Sequence, residues 1–147
     1  MGLEQQTYST TACVSPADCF AAITDFASYP QWSSSVRRAE VLEHHPDGLP
    51  KRVAMELDVK IKHIRYVLEY NYEPPGRLTW KLVEGDLKDV EGIYTFEDAG
   101  AGTTRITCSQ AVDTGFWIPG FLRSTFERTA LRDSVEEFKR AVESRHT

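Results

Sequence analysis

The sequence lacks the surplus of positive charge that binding to nucleic acid requires. It has 17 Lys and Arg residues against 22 Asp and Glu residues, a formal net charge of −5, and its basic residues are scattered. Because a phosphate backbone needs a basic surface, we expect no nucleic-acid partner. No apolar run approaches the roughly 20 residues that cross a bilayer, so we also expect no stable membrane insertion. The N-terminus MGLEQQTYST lacks the basic flank and apolar segment of a signal peptide, which indicates a cytoplasmic location.

Cysteine and histidine are too sparse for a disulfide framework or a metal centre. The chain has three cysteines, an odd number without a CxxC pair, which favours a reducing compartment. No pair of histidines has the HxH or HExxH spacing of a zinc site. His44 and His45 precede a Pro-Asp-Gly turn sequence, so we expect both side chains to be exposed at a hairpin end. We therefore predict no metal ion and no cofactor.

What the chain has in good supply is material for a hydrophobic core. Its 147 residues are 41% hydrophobic and 11% aromatic. That length suits a single domain, 1–147, and that composition argues against disorder. No repeat or low-complexity segment interrupts the chain.

The N-terminal part of the chain predicts one strand followed by one or two short helices. Residues 7–14 alternate between two kinds of side chain, as a strand does. The Ser15–Pro16 pair then supplies a helix N-cap and the first helical position. Because Pro30 disfavours the helical conformation in the residue before it, the helical segment is expected to stop by Tyr29. Asp25 is the candidate cap of a second turn.

Six more strands and one long helix follow. The predicted strands span 36–44, 52–60, 63–73, 77–84, 90–97 and 103–112, with turn sequences between them. Apolar residues at three- and four-residue steps predict a helix from 119 to about 144, roughly 39 Å long. We predict an α+β fold in which a curved, seven-stranded antiparallel sheet wraps around this C-terminal helix, with two short helices after strand 1.

The inner face of this sheet carries more polar groups than a sealed core would. One helix is about 10 Å wide, too narrow to fill the hollow of a curved seven-stranded sheet. The residues predicted to face inward include Tyr66, Tyr70, Tyr72, Trp80, Tyr94, Thr104 and Gln110. Buried hydroxyls and amides need hydrogen-bond partners, which favours a partly wet or ligand-filled cavity. The alternative is a filled core in which edge tyrosines point their hydroxyls to solvent.

Short motifs along nearly the whole chain carry a family resemblance. They are ACVSPADCF at 12–20, DFASYPQW at 25–32, GIYTF at 92–96, GTTRI at 102–106 and Pro-Gly at 119–120. In this order and spacing they resemble the START-like (SRPBCC) superfamily, which includes polyketide cyclases/dehydrases and lipid-transport proteins. The resemblance implies a helix-grip fold with a deep apolar tunnel between the sheet and the long helix. It also implies that the ligand is a lipid, a polyketide or another hydrophobic or amphipathic molecule.

The resemblance and the inward pattern together indicate a candidate ligand site. Its wall is predicted to contain Tyr66, Leu68, Tyr70, Trp80, Leu82, Tyr94, Phe96, Gln110, Phe116, Trp117, Leu122 and Phe126. Tyr29 and Trp32 either close a corner of the core or form the lid or mouth of the pocket. Phe116 and Trp117 either plug the end of the sheet or line the mouth and touch the ligand or a membrane surface. The protein is expected to be a monomer or a homodimer.

Catalysis is the main alternative to simple binding. Aromatase members of the superfamily carry an inward Ser and Arg on the strand that matches 63–73, where this chain has Leu68 and Tyr70. An Arg places positive charge at a developing enolate, and Leu68 does not replace it. Tyr70 and Tyr94 remain as candidate acids of a polyketide cyclase or dehydratase that acts on a poly-β-keto intermediate. A third hypothesis is a partner-binding protein of the toxin or ribosome-associated branch, although the acidic charge argues against an RNA surface.

Overall fold

A seven-stranded antiparallel sheet and a long C-terminal helix form the main body of the molecule. The computed structural model describes residues 5–58, 63–115 and 120–146, and it describes side chains in these ranges outside 120–126. The strands are β1 (Gln5–Ala12), β2 (Val36–His44), β3 (Pro50–Asp58), β4 (His63–Glu73), β5 (Arg77–Gly85), β6 (Asp89–Gly100) and β7 (Thr103–Asp113). The helices are α1 (Pro16–Ile23), α2 (Tyr29–Trp32) and α3 (Gly120–Ser144), with a 3-10 turn at Phe26–Ser28. The predicted α+β fold and its order of elements are confirmed.

The sheet order places the first strand beside the last. The order is β1-β7-β6-β5-β4-β3-β2, and every neighbouring pair is antiparallel. Helices α1 and α2 separate β1 from β2 in sequence, so β1 is free to pair with β7 at the other end of the sheet. Helix α3 then packs along β1, where Tyr8 donates a hydrogen bond to Glu136 at 2.7 Å. We call the sheet face that α3 covers the inner face.

The start of α1 forms as the Ser15–Pro16 pair predicts. Ser15 has an extended backbone, and its hydroxyl accepts a hydrogen bond from the backbone N–H of Asp18 at 3.1 Å. The Asp18 carboxylate accepts in return from the backbone N–H of Ser15 at 3.3 Å. Two helix-terminal N–H groups are thereby satisfied, which is the arrangement known as a capping box.

Two expectations for the segment after α1 are wrong. Tyr29 does not stop a helix, because it is itself helical (φ −52°, ψ −44°) and begins α2 with Pro30 as the second residue. Proline is tolerated in a first turn, where its missing N–H would have no helical partner. Burial of the Tyr29 ring against Phe26 offsets the unfavourable conformation before proline. Asp25 makes no side-chain cap, and its carboxylate instead binds Arg145 at 2.7 Å.

Strand boundaries differ from the prediction by up to three residues. Strand β1 ends at Ala12 rather than residue 14, because the chain turns there toward α1 and the carbonyl of Val14 accepts a 2.6 Å hydrogen bond from the buried Thr104 hydroxyl. Strand β3 begins two residues earlier than predicted, and β6 extends to Gly100. Predicted strand residues 59 and 60 and the predicted helix start at 119 lie outside the described residues.

His45 is half-buried, not exposed as predicted, whereas His44 is exposed. The Nε2 atom of His45 lies 2.7 Å from the carbonyl oxygen of Tyr70, and the ring meets Tyr72 edge-on. Because a carbonyl oxygen only accepts, Nε2 carries the proton. The sequence pattern around a hairpin turn contains no sign of this contact with β4, which lies 25 residues further along the chain.

Helix α3 closes the core with a stripe of apolar side chains. Leu131, Val135, Phe138 and Val142 are at most 6% exposed and recur at steps of four, three and four residues. That spacing places them on one side of the helix, toward the inner face of the sheet. All three cysteines are free, with Cys13 exposed and Cys19 and Cys108 buried.

Candidate ligand site on the inner face of the sheet

The inner face is built by alternation along β4 to β7, with a register shift between β4 and β5 at Val67 and Leu68. On β4, Ile64, Leu68 and Tyr70 are buried and Tyr66 and Tyr72 are half-buried. On the neighbouring strands the inner residues are Leu78, Trp80 and Leu82, then Val90, Tyr94 and Phe96, then Thr104, Ile106, Cys108 and Gln110. The candidate ligand residues on β4 to β7 therefore all belong to one continuous surface.

Seven aromatic side chains on this surface and the adjoining helices form a closed circuit of ring contacts. Neighbouring ring centroids lie between 4.8 and 6.0 Å apart. In order the circuit is Trp32, Tyr29, Phe26, Tyr70, Trp80, Tyr94 and Phe138, which returns to Trp32. We call it the aromatic circuit. It joins the short helical segment, the sheet and α3, so Tyr29 and Trp32 contact the same core as the inner face.

A cross-strand row of inner-face positions runs through the circuit. Its members, paired in register from β4 to β7, are Tyr70, Trp80, Gly92 and Gln110. A Cβ atom on Gly92 would lie 2.2 Å from the Cζ2 atom of Trp80, so the indole lies directly over the glycine backbone. The indole N–H crosses Gly92 and donates a 3.1 Å hydrogen bond to Oε1 of Gln110. Glycine at 92 is therefore required for space.

Two inner tyrosines differ in how their hydroxyls are satisfied. Burial raises the pKa of Tyr94 well above its ordinary value, and the side chains of Cys108 and Ser134 interact with its hydroxyl. Burial likewise raises the pKa of Tyr70, but no hydrogen bond joins its hydroxyl to another described residue.

The two inner positions that the family resemblance compares with an aromatase Ser and Arg carry no charge. Leu68 and Tyr70 are each 4% exposed and lie on the inner face. Arg65, the nearest arginine on the same strand, points to the opposite face, where its Nε lies 3.2 Å from Glu56. Among the described inner-face residues of β4 to β7 there is no Arg, Lys or His, so this surface offers hydrogen bonds rather than positive charge.

Part of the predicted wall cannot be placed. Phe116 and Trp117 lie outside the described residues. Leu122 and Phe126 belong to α3, but their side chains are not described. The tunnel predicted between sheet and helix would extend toward these four residues, so its extent stays a prediction.

Comparison with known proteins assigns the family. Residues 13–139 match the family model described as polyketide cyclase / dehydrase and lipid transport. The chain belongs to this family. No curated protein sequence gives a significant match. No helix in the described ranges combines the length and apolar character needed to cross a bilayer.

Solved structures show that the polyketide cyclase/dehydrase fold extends over the whole chain. A START superfamily protein from Mycobacterium smegmatis is 17% identical, with a TM-score of 0.80 over 96% of this chain and 95% of that one. A protein from Thermus thermophilus is 16% identical, with a TM-score of 0.84 over 98% and 100%. The Zhui aromatase/cyclase from Streptomyces sp. R1128 is 14% identical, with a TM-score of 0.83 over 99% and 97%. At these identities the likeness establishes the fold.

A separate open groove lies on the outer face of the sheet. Its volume is about 370 Å³, and it is lined mainly by outward-facing residues of β2 to β5, including Arg38, Glu40, Ala54, Arg65 and Glu84. The groove is on the far side of the strands from the aromatic circuit. Its charged lining differs from the apolar tunnel that the family resemblance implies, so it is not the candidate ligand site.

Three parts of the site were not predicted from the sequence: the positions of Phe26 and Phe138 in the aromatic circuit, and the contact between Gly92 and Trp80. Phe26 and Phe138 were visible only as helix-core residues, and nothing in their spacing indicates that they close an aromatic circuit. Gly92 in the middle of a strand was a usable signal, because an interior strand glycine often marks a close approach of another group. Its partner Trp80 lies one strand away in register, which the sequence does not display.

Proposed function

We propose that this protein binds one hydrophobic or amphipathic small molecule, lipid-like or polyketide-like, against the inner face of the sheet. The observation that carries the proposal is the aromatic circuit beside the buried Tyr70 hydroxyl, which has no hydrogen-bond partner among the described residues. Small-molecule sites are mostly apolar and contain a few fixed polar groups, which is the character of this surface. The family description includes lipid transport, which supports the same interpretation.

The polar groups support binding more strongly than acid catalysis. A general acid works best when its pKa is near the operating pH. Burial raises the pKa of both Tyr70 and Tyr94, so each phenol holds its proton and serves as a hydrogen-bond donor or acceptor. The side chains of Cys108 and Ser134 already interact with the Tyr94 hydroxyl, which leaves Tyr70 as the phenol best able to contact a ligand.

A polyketide cyclase or dehydratase is the second candidate function. One structural neighbour is named an aromatase/cyclase, and the family description includes cyclases and dehydrases. In this chain the reaction would depend on Tyr70 or Tyr94 as the acid toward a poly-β-keto intermediate. The absence of charge at positions 68 and 70 favours binding over this chemistry.

Native mass spectrometry of freshly purified protein tests the binding proposal. We expect a stoichiometric adduct, which extraction would identify as an apolar molecule with few polar groups. The Tyr70→Phe variant should bind the extracted molecule about fivefold more weakly, because it loses one hydrogen bond. Leu42→Ala, at a side chain that is 53% exposed, is the matched control and should bind normally. Absence of any adduct, together with no affinity for apolar aromatic probes, would reject the proposal.

A turnover assay separates binding from catalysis. Wild type, Tyr70→Phe and Tyr94→Phe would be compared on a poly-β-keto mimic for cyclised or dehydrated product. Turnover that disappears in one variant supports the cyclase function and identifies the acid. Turnover that survives both substitutions excludes the tyrosine-acid mechanism.

A further inference from the structure

We infer that Gln110 is a specificity-determining residue whose side-chain amide donates hydrogen bonds to a carbonyl or other acceptor oxygen of the bound molecule. The inference rests on the proposed function, since it concerns the same inner-face site. It narrows the ligand class to apolar molecules, flat enough to lie along Trp80, that carry an acceptor oxygen.

The orientation of the Gln110 amide follows from its contact with Trp80. The two ends of a Gln amide are hard to distinguish by shape alone, so the partner must decide. An indole N–H only donates, and the atom 3.1 Å from it must therefore be the amide oxygen. The NH₂ end of Gln110 consequently points away from Trp80 with two donors.

No described residue uses those two donors. Gln110 is half-buried on the inner face, and its side-chain hydrogen bond within the described residues is the one that its oxygen accepts from Trp80. Gln6 on β1 is its in-register neighbour, but no hydrogen bond joins the two side chains within the described residues. Amide donors in a half-buried, largely apolar surface gain free energy when an acceptor reaches them. A ligand oxygen is such an acceptor.

Gln110 is held in place before any ligand arrives. The Trp80 ring is 7% exposed and is packed between Tyr70 and Tyr94, with centroid distances of 6.0 and 5.7 Å. Because position 92 is a glycine, no side chain beneath the indole tilts the ring. Because the indole is fixed, the amide that it binds is fixed too, and pre-organised donors lose little entropy on binding.

The site should bind molecules that lack an acceptor oxygen more weakly than molecules that have one. A site built to form a hydrogen bond rejects an analogue without the matching group, because its own polar atoms are then left unpaired. A hydrocarbon of the same shape should therefore bind more weakly than the corresponding ketone, even though both fit the aromatic wall.

Two probes of equal shape test this directly: 2-acetylnaphthalene, which has a ketone, and 2-isopropenylnaphthalene, which has a methylene group in its place. Dissociation constants would be measured by tryptophan fluorescence and calorimetry. Wild type should bind the ketone about fivefold more tightly than the alkene, the ratio expected for one hydrogen bond. Gln110→Glu at mildly alkaline pH keeps an acceptor for Trp80 but has no N–H, so its ketone preference should disappear. Gln110→Met, which has no polar group, should give the same ratio near one.

The controls distinguish failure of this inference from failure of the binding proposal. Leu42→Ala, at an exposed side chain outside the proposed site, should keep the ketone preference, and circular dichroism should show that every variant is folded. If wild type binds both probes equally, or if the preference persists in both Gln110 variants, the inference is overturned and the binding proposal stands. If wild type binds neither probe up to its solubility limit, the binding proposal fails and this inference fails with it.

Discussion

The two faces of β3 and β4 are made from the same strands and have opposite chemistry. On the outer face, His63 lies between carboxylates of Asp58 and Glu56, at 2.6 and 3.2 Å, and Arg37 pairs with Asp58 at 3.0 Å. On the inner face, Leu68 is buried, and Tyr70 is buried in contact with the rings of Phe26 and Trp80. Alternation along a strand produces both surfaces at once.

The difference shows where stability and function are concentrated. Exposed ion pairs contribute about 0–1 kcal/mol each, because water screens the charges and holding long side chains in place costs entropy. Burial of a large apolar side chain contributes about 1.5–3 kcal/mol. The inner face therefore both holds the fold together and presents the proposed ligand site. Substitutions there will affect the two properties together, whereas the outer face should tolerate change.

Alkaline pH should act on the inner side more strongly than any single substitution. Burial is the first cause that raises the pKa values of five tyrosines on this side: Tyr29, Tyr66, Tyr70, Tyr72 and Tyr94. These phenols have a pKa of about 10 in the unfolded chain and a higher pKa in the folded protein. The buried neutral phenols therefore contribute fully to stability below a pH of about 10, and this contribution is lost as the pH rises further. We expect cooperative unfolding in alkali, with phenolate absorbance and loss of circular dichroism rising together. If these tyrosines ionise at a pH of about 10 while the protein is still folded, they are not buried as described.

Truncation of Phe138 should be the most destabilising of the substitutions considered. Its ring is fully buried and contacts Trp32, Tyr94 and Phe96. Phe138→Ala should lower the free energy of unfolding by about 3–5 kcal/mol, measured by urea denaturation. Leu42→Ala on the outer side is the control and should change it by no more than about 0.5 kcal/mol. If Phe138→Ala and Leu42→Ala lower the free energy of unfolding equally, the inner face does not contribute more to stability than the outer face.

A smaller effect is expected at Gly92. Gly92→Ala places a methyl group against the Trp80 indole and should cost about 1–3 kcal/mol of unfolding free energy through overpacking. Gly76→Ala is the matched control, because its nearest atom would be the Phe96 carbonyl oxygen at an ordinary 3.6 Å. Adding Trp80→Ala to Gly92→Ala should cost less than the sum of the two single changes. If the losses in unfolding free energy of the two single variants add up, the packing of the Trp80 indole does not depend on Gly92.

The smallest effect should come from an outer ion pair. The Arg65 side chain is 71% exposed, and its Nε lies 3.2 Å from Glu56. Arg65→Ala should lower the free energy of unfolding by less than about 1 kcal/mol, and high salt should shrink the difference further. A loss comparable to that of Phe138→Ala, or one that salt leaves unchanged, would show that the outer face is structurally important.

Local patterns in the sequence were sufficient for the order of elements. Alternation and turn sequences predict the strands because both depend only on neighbouring residues. The Ser15–Pro16 helix start was predictable for the same reason. The inward face of β4 also followed from alternation, so Leu68 and Tyr70 lie where the sequence pattern places them.

Contacts between distant parts of the chain were not predictable. Asp25 looks like a cap by its position, but its partner is Arg145, 120 residues away. His45 looks like a turn residue, yet it binds the carbonyl of Tyr70 on another strand. Tyr29 is helical before a proline because tertiary burial outweighs the local preference. In each case a partner distant in sequence overrides a rule that considers only neighbours.

The position of β1 beside β7 has a consequence for biosynthesis. Each strand from β2 to β6 finds a neighbour in the strand made just after it, whereas β1 pairs with Thr103–Asp113 and is covered by α3. During translation, β1 therefore emerges from the ribosome before β7 and α3, and it stays unpaired until both have been synthesised. Pairs so distant in sequence close late and slowly. Completion of the sheet, and with it of the enclosed surface, is expected to be the final event after synthesis.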